Sequence, residues 1–259
     1  MILLADVNNS YFSFALYSKE GAKAFSYRVA SDSSKTMEEY LFLLSQIFML
    51  YGMDPKSVEG EILSSVVPAL TSRIQEAIET YFSKPCLLLS RRLKTGLLLK
   101  TDHPQEVGSD LIALALGAYN RYQEGAVIVH MSSVITLLAV SDKKEFLGGM
   151  ILPGLSSSLK AMVESCAKIP EVEIEEPRSA IGKNTKECLS SGVLNGYSDL
   201  ILSQCERLER ESGTRKRMMT GFDSKILKNR LFASFDFDDD LIFEGLLSIY
   251  LKNQKGETL

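Results

Sequence analysis

The sequence predicts an α/β protein built from two similar halves. Short apolar runs of strand length alternate with longer segments whose apolar residues recur every three or four positions. The outline of residues 2–30 is an apolar run, a polar turn, a second run, a charged turn and a third run, and it returns at 126–152. The length of 259 residues suits one large domain or two small ones. Aligning the repeats puts Ala5-Asp6-Val7-Asn8-Asn9-Ser10 over Val129-His130-Met131-Ser132-Ser133-Val134. Such halves suggest a duplicated sheet-plus-helix fold with a cleft between them. Any two meanders share that outline, so period and composition alone leave the duplication open.

The elements follow in order. Ile2 to Ala5 is fully apolar, as in a buried strand, and Tyr11 to Tyr17 is rich in aromatics. Ser18-Lys19-Glu20-Gly21 is a turn, and Phe25 to Ala30 is a third strand. Met37, Tyr40, Leu41, Leu44, Ile47 and Phe48 space a helix over 36–52. A strand over 61–67 ends at Pro68, which suits the first turn of a helix running to Phe82. Leu87 to Leu89 is a short strand. Thr101-Asp102-His103-Pro104 marks the start of a helix carrying Val107, Leu111, Leu114 and Ala118. Strands follow at 126–129, 134–140 and 146–152. The last third is helical: 156–167, then a long helix N-capped by Thr185 and ending near Gly213, then 241–252. Met218 to Gly221 is a strand running into a turn. The acidic stretch Asp236 to Asp240 lacks the glycine and distant glutamate of a calcium loop and reads as a solvated helix entry. This pattern divides the chain into an N-terminal half, 1–120, and a C-terminal half, 121–259.

Composition excludes several function classes. The 29 basic and 33 acidic residues leave a formal charge of -4, which argues against nucleic-acid binding through bulk charge. One short basic cluster, Arg215-Lys216-Arg217, reads as a solvated loop. No stretch approaches the roughly 18–20 apolar residues of a membrane helix. The N-terminal apolar run has no basic residues before it, so no signal peptide is expected. Cys86, Cys166, Cys188 and Cys205 form no C-x-x-C pair, and only His103 and His130 are available beside them. A zinc site is therefore not expected, and a reduced cytoplasmic location is the default.

Four segments carry candidate chemistry. In Asp6-Val7-Asn8-Asn9-Ser10 a carboxylate at a buried strand end precedes a tight turn with amides and a hydroxyl. That arrangement can hold a phosphate and its magnesium, and a surface Asx turn reads the same way. Asp110 opens a helix among apolar neighbours, where it is either a general base or a residue favoured by the helix dipole. Leu147-Gly148-Gly149 to Pro153-Gly154, and Gly182-Lys183-Asn184-Thr185 with Ser191-Gly192, hold glycines that let backbones approach closely.

In this order the segments resemble type III pantothenate kinases. The family's first phosphate motif, D-x-G-N-T, is matched at Asp6, Asn9 and Ser10, and its S-S-V-V-P at Ser64 to Pro68. Its N-P-x-E-V-G-A-D-R is matched at Pro104, Glu106, Val107, Gly108 and Asp110. Leu147 to Gly154 matches L-G-G-x-I-x-P-G, Ala167 to Pro170 resembles A-K-L-P, and Gly182 to Thr185 matches G-K-N-T. Thr220-Gly221 resembles part of T-G-G. The resemblance spans nearly the whole chain.

It implies a duplicated actin/hexokinase-like (ribonuclease H-like) fold with a central cleft, and dimerisation helices in the second half. It implies transfer of the ATP γ-phosphate to pantothenate, the first step towards coenzyme A, by a homodimer using Mg2+ and a monovalent cation, K+ or NH4+. Asp6 is then the metal-side carboxylate, with Asn8, Asn9, Ser10, Ser132 and Ser133 facing the phosphates. Asp110 is the base, Gly108, Ser109 and Leu111 line the pantothenate site with it, and Thr185 reaches the pantothenate of the neighbouring subunit.

Some positions depart from the family. The carboxylate of the second phosphate motif, D-x-G-T-A-T-T, is His130, and its glycine is Ser132. Asn8 replaces a glycine that Asn can mimic at positive φ. The arginine after the catalytic aspartate is Leu111, so a partner for the pantothenate carboxylate is gone. Thr101, His103 and Phe222 also replace motif residues. Retained Asp6 and Asp110 favour an enzyme. His130, Ser132 and Leu111 favour a noncatalytic dimer of the same fold that binds or regulates.

Overall fold

The first apolar run of the chain lies in the middle of a sheet. In the computed structural model, which describes residues 1–90 and 92–254, β1 (Ile2–Val7) is buried along its length. β2 (Tyr11–Tyr17) and β3 (Lys23–Ala30) continue it as an antiparallel meander. After α1 (Met37–Leu50), β4 (Gly60–Ser65) runs parallel to β1 on its other side. After α2 (Pro68–Phe82), β5 (Leu87–Leu88) runs parallel to β4, giving the order β3-β2-β1-β4-β5. The two-residue strand β6 (Leu98–Leu99) and α3 (Ser109–Tyr122) follow.

The second half repeats this wiring. β7 (Ala126–Met131), β8 (Val134–Val140) and β9 (Glu145–Pro153) form the meander. Helices α4 (Leu155–Ser165) and α5 (Thr185–Ser212) lead to β10 (Lys216–Thr220), parallel to β7. After α6 (Ser224–Leu231), β11 (Asp236–Phe237) runs parallel to β10, giving β11-β10-β7-β8-β9. A register shift falls at the same place in each meander, at Leu16/Tyr17 and at Ala139/Val140. The sequence repeat is thus a repeat of hydrogen-bonded topology.

The chain forms two compact units. One is Met1–Arg121 with the segment from Asp240 onward, and the other is Tyr122–Asp239. The expected second half, 121–259, is therefore shortened, because the last helix, α7 (Leu241–Gln254), packs on β1, β2 and β4. Phe243, Leu246 and Ile249 bury against Ile2, Leu4 and Ile62 on one face of the first sheet. Backbone contact makes this possible. A Cβ on Gly245 would lie 1.9 Å from the Ala113 carbonyl oxygen, and one on Gly117 would lie 2.4 Å from that of Leu241. The other face carries Leu3, Ala5 and Leu63 against Tyr40, Leu44, Phe48, Ile74 and Ile78 of α1 and α2. Both faces of the sheet are covered, which is why β1 reads as a continuous apolar run rather than an alternation.

Several boundaries differ from the sequence reading. Pro104–Glu106 is a separate 3-10 turn, so α3 starts at Ser109. The N-cap of α5 is Asn184 rather than Thr185; its side-chain oxygen accepts from the Glu187 backbone N–H at 3.0 Å. α6 was not expected, since this short charged segment buries only Ser224, Leu227 and Leu231. Part of the acidic stretch is strand β11 rather than a helix entry, because β10 offers it a free edge. Among the described residues no helix is long and apolar enough to cross a membrane.

Glu61 stands out on β4. It is 1% exposed, and neither carboxylate oxygen has a hydrogen-bond partner among the described residues. Burial pushes its pKa up to about 7, Lys84 opposes the shift and Glu79 adds to it. The folded state therefore holds the proton over a pH range in which the unfolded state has released it. Stability conferred by the protonated form falls as pH rises from about 4.5 towards 7. Glu61→Gln is expected to raise stability at pH 8 by on the order of 2 kcal/mol and to change it little at pH 4. Urea midpoints at the two pH values check this; equal shifts at both would contradict it.

Candidate active site

The polar end of β1 gathers most of the expected first-half residues. Asp6 is the penultimate residue of the strand and is 3% exposed. The ladder puts Ser13 of β2 and Ser64 of β4 directly beside it, on the same sheet face. The Asn8 amide Nδ2 donates to Asp6 Oδ2 at 3.3 Å. Asp6 Oδ1 is buried with no hydrogen-bond partner among the described residues.

The turn after β1 is built on Asn8. Its Oδ1 accepts from the backbone N–H groups of Ser10 at 3.0 Å and Tyr11 at 2.9 Å. The backbone is not in the left-handed region, so Asn8 replaces the family's glycine through an Asx turn rather than through positive φ. Ser31 ties the turn down, its Oγ donating to the Asn8 carbonyl at 2.7 Å and its N–H to the Ser10 carbonyl at 2.9 Å. Asn9 is the exposed tip.

Asp110 reaches the same place from α3. It lies in the first helical turn, 9% exposed, where the helix dipole favours negative charge. Its Oδ1 accepts from the Leu111 N–H at 2.8 Å. A Cβ on Gly108 would sit 2.4 Å from that same oxygen, so glycine is what leaves room for the carboxylate. Ser109 Oγ lies 3.0 Å from Ser64 Oγ and donates to the Ser65 carbonyl at 3.3 Å. Ser64 stands directly beside Asp6 in the ladder and favours its ionised form. A hydroxyl chain, Ser109 to Ser64, therefore joins the start of α3 to β4, next to Asp6 at the end of β1. Sequence reading placed Ser109 and Leu111 in the substrate site; Ser109 is in this chain, and Leu111 is a half-buried apolar side chain.

The two carboxylates repel. Asp6 is raised to about 7, first by burial and then by Asp110, while hydrogen bonds from Ser64 and Asn8 and the charge of Arg28 oppose the rise. Sequence reading singled out neither Ser13 nor Arg28. The signal for both was their register in the meander, which appears only once the strands are paired. A cavity of about 600 Å3 lined by Leu93, Lys94, Val107, Ile112 and Lys252, among others, shares the segment that carries Asp110.

Comparison with known proteins fits this arrangement. The model of the type III pantothenate kinase family matches residues 2–207. A type III pantothenate kinase of Persephonella marina is 35% identical over 251 residues, covering 96% of this chain and 98% of its own. One from Myxococcus xanthus is 34% identical over 255 residues, covering 98% and 99%. The chain belongs to the type III pantothenate kinase family. Its fold is that of a Baf family protein from Campylobacter jejuni (TM-score 0.60, 22% identity, 98% and 99% covered). It is also that of a ROK family protein from Streptococcus pneumoniae (TM-score 0.52, 12% identity, 98% and 99% covered). This is the duplicated actin/hexokinase-like fold.

The type III pantothenate kinase family's second phosphate motif lies in the other unit. His130 is half-buried on β7, paired with Thr136 of β8 and Thr220 of β10. Ser132 and Ser133 form the tight turn to β8, with the Ser132 N–H donating to the Val134 carbonyl at 3.0 Å. Gly221, at φ +98°, presses on this strand end; a Cβ there would meet the Met131 carbonyl oxygen at 2.3 Å. Asp223 was missed by sequence reading. It is buried beside the turn, its N–H donating to the Met131 carbonyl and its Oδ2 accepting from the Ser156 N–H. Thr185 is exposed in the first turn of α5.

The electrostatic account of Asp6 makes opposite predictions for two neighbours. Ser64→Ala removes a stabilising hydrogen bond and is expected to raise the Asp6 pKa. Asp110→Asn removes a like charge and is expected to lower it. Carboxyl carbon NMR titration of aspartate-labelled protein reads both; shifts in one common direction would contradict the assignment.

Proposed function

We propose that this protein phosphorylates pantothenate with ATP, giving 4'-phosphopantothenate, the first step of coenzyme A biosynthesis. The observation that carries the reading is the buried, mutually repelling Asp6–Asp110 pair beside the Ser64–Ser109 contact, at the point where a family motif supplies each carboxylate. Asp110 accepts the proton of the pantothenate hydroxyl as its oxygen bonds to the γ-phosphorus. The bond from that phosphorus to the bridging oxygen breaks, and ADP leaves with the electron pair. Phosphoryl transfer of this kind rests on positioning and charge. The Asn8 turn presents Asn9 and Ser10 to the nucleotide phosphates, with Ser132 and Ser133 as the second phosphate turn. Gly108 keeps the space beside the base open.

Asp6 suits magnesium. Its Oδ1 is a buried oxygen without a partner among the described residues, and Mg2+ is commonly held by one or two carboxylates plus substrate phosphates. When bound, the ion neutralises charge on the phosphates. His130 does not suit a monovalent cation, because an imidazole offers one nitrogen where hard cations take oxygen, and no step is routed through that ion. Leu111 cannot pair with the pantothenate carboxylate. Lys94 and Lys252 bring the only formal charges among the described residues lining the neighbouring cavity and are the better partners for it. A homodimer, with Thr185 reaching the partner's substrate, completes the reading.

The test is a phosphotransfer assay with pantothenate, ATP and Mg2+. Turnover is expected, and Asp110→Asn is expected to lower it by about 100-fold or more, the scale of general-base loss. His130→Asp is expected to tighten MgATP binding in calorimetry, more so with K+ present. The second reading, a noncatalytic dimer, is favoured by His130 and Leu111. Nucleotide or pantothenate binding without turnover, and with Asp110→Asn neutral, would select it.

A further inference from the structure

Four polar side chains stand in one row across the first sheet. The ladder pairs Arg28 of β3 with Ser13 of β2, Ser13 with Asp6 of β1, and Asp6 with Ser64 of β4. Directly paired residues share a face, so Arg28 projects from the same side of the sheet as Asp6. Two strand spacings of about 4.8 Å separate their backbones. Between them is only the small hydroxyl of Ser13, which is 7% exposed. No bulky side chain of the row screens the guanidinium from the carboxylate, and its charge is felt at Asp6.

The Arg28 side chain is also directed. Its guanidinium carbon lies 5.6 Å from the centroid of the Tyr11 ring, within cation–π range. Tyr11 directly follows the Asn8 turn, and its N–H is held by Asn8 Oδ1. The ring that fixes Arg28 is thus attached to the phosphate turn itself. Arg28 is half-buried, where charge-assisted hydrogen bonds are less screened than at an open surface.

We propose that Arg28 binds the terminal phosphoryl group at the Asp6 end of the row, donating guanidinium N–H bonds to its oxygens. This rests on the phosphotransfer reading and adds a residue to it. A planar guanidinium matches phosphoryl oxygens in pairs and keeps its charge at every working pH. Placed where charge redistributes during transfer, it supplies fixed electrostatic stabilisation.

The test compares wild type with Arg28→Ala, Arg28→Gln and Arg28→Lys, each checked for an unchanged circular dichroism spectrum. Binding of Mg-ADP and of a nonhydrolysable Mg-ATP analogue is measured by calorimetry, and kcat and KM are measured with pantothenate. Arg28→Ala and Arg28→Gln are expected to weaken the ATP analogue by about 10-fold or more and ADP by less than about 3-fold, with Arg28→Lys in between. Turnover is expected to fall at least as far as analogue affinity. Equal affinities for both nucleotides in wild type and variants would overturn the proposal. So would an effect confined to the acid side of the pH profile, which is what an arginine acting only through Asp6 would give. If wild type does not phosphorylate pantothenate yet the analogue-selective loss appears, Arg28 stands and the pantothenate reading fails. Wild type that binds neither nucleotide overturns both.

Discussion

A carboxylate buried at the end of the central strand imposes the main constraint on the first unit. Asp6 cannot move away from the apolar layers, because β1 is covered on both faces. Its charge must therefore be managed locally. Ser64, Asn8 and Arg28 favour the ionised form, while burial and Asp110 oppose it. The balance leaves the carboxylate poised near neutrality with one oxygen unsatisfied among the described residues. Such an arrangement costs stability, and buried groups with perturbed pKa values cluster where chemistry is done. The Asx turn at Asn8, the glycine at 108 and the Ser64–Ser109 contact can each be read as a consequence of holding this one group in place.

Departures from the family pattern are not equivalent. Asn8 in place of glycine is absorbed by a change of mechanism, from conformational freedom to a side-chain-built turn. Ser109 in place of alanine adds a hydroxyl to the polar chain between α3 and β4. His130 and Leu111 are different in kind. One removes a negative charge and the other a positive one, and neither loss is repaired by a change in backbone. Arg28 and Asp223 are charged groups near the turns at Asn8 and at Ser132 that sit outside the motifs carrying the resemblance.

Duplication shapes what the two units share. Each sheet extends a meander by adding parallel strands beside its first strand, and each carries a register shift at the same position. The first strand of each meander therefore ends where the next parallel strand and a tight turn also end. That geometry, rather than sequence similarity, brings a polar residue and a turn together in both units. The last helix escapes the duplication, since α7 closes the first sheet.

By itself, the sequence determined the strands and helices with strong periodicity, the repeat, and the family. Apolar runs such as Ile2 to Ala5 and i, i+4 helical spacings such as Tyr40, Leu44 and Phe48 are local signals of burial, so they survive without a partner in view. Asp6 and Asp110 were legible because motifs at fixed spacing carry them. What the sequence left open needed tertiary pairing. The unit that α7 joins depends on Gly117 and Gly245 meeting backbone from distant segments. The Asp6–Asp110 repulsion, the Ser64–Ser109 link and the row through Ser13 to Arg28 join residues far apart in sequence. Strand register is fixed by side chains on both partners, and no single segment encodes it alone.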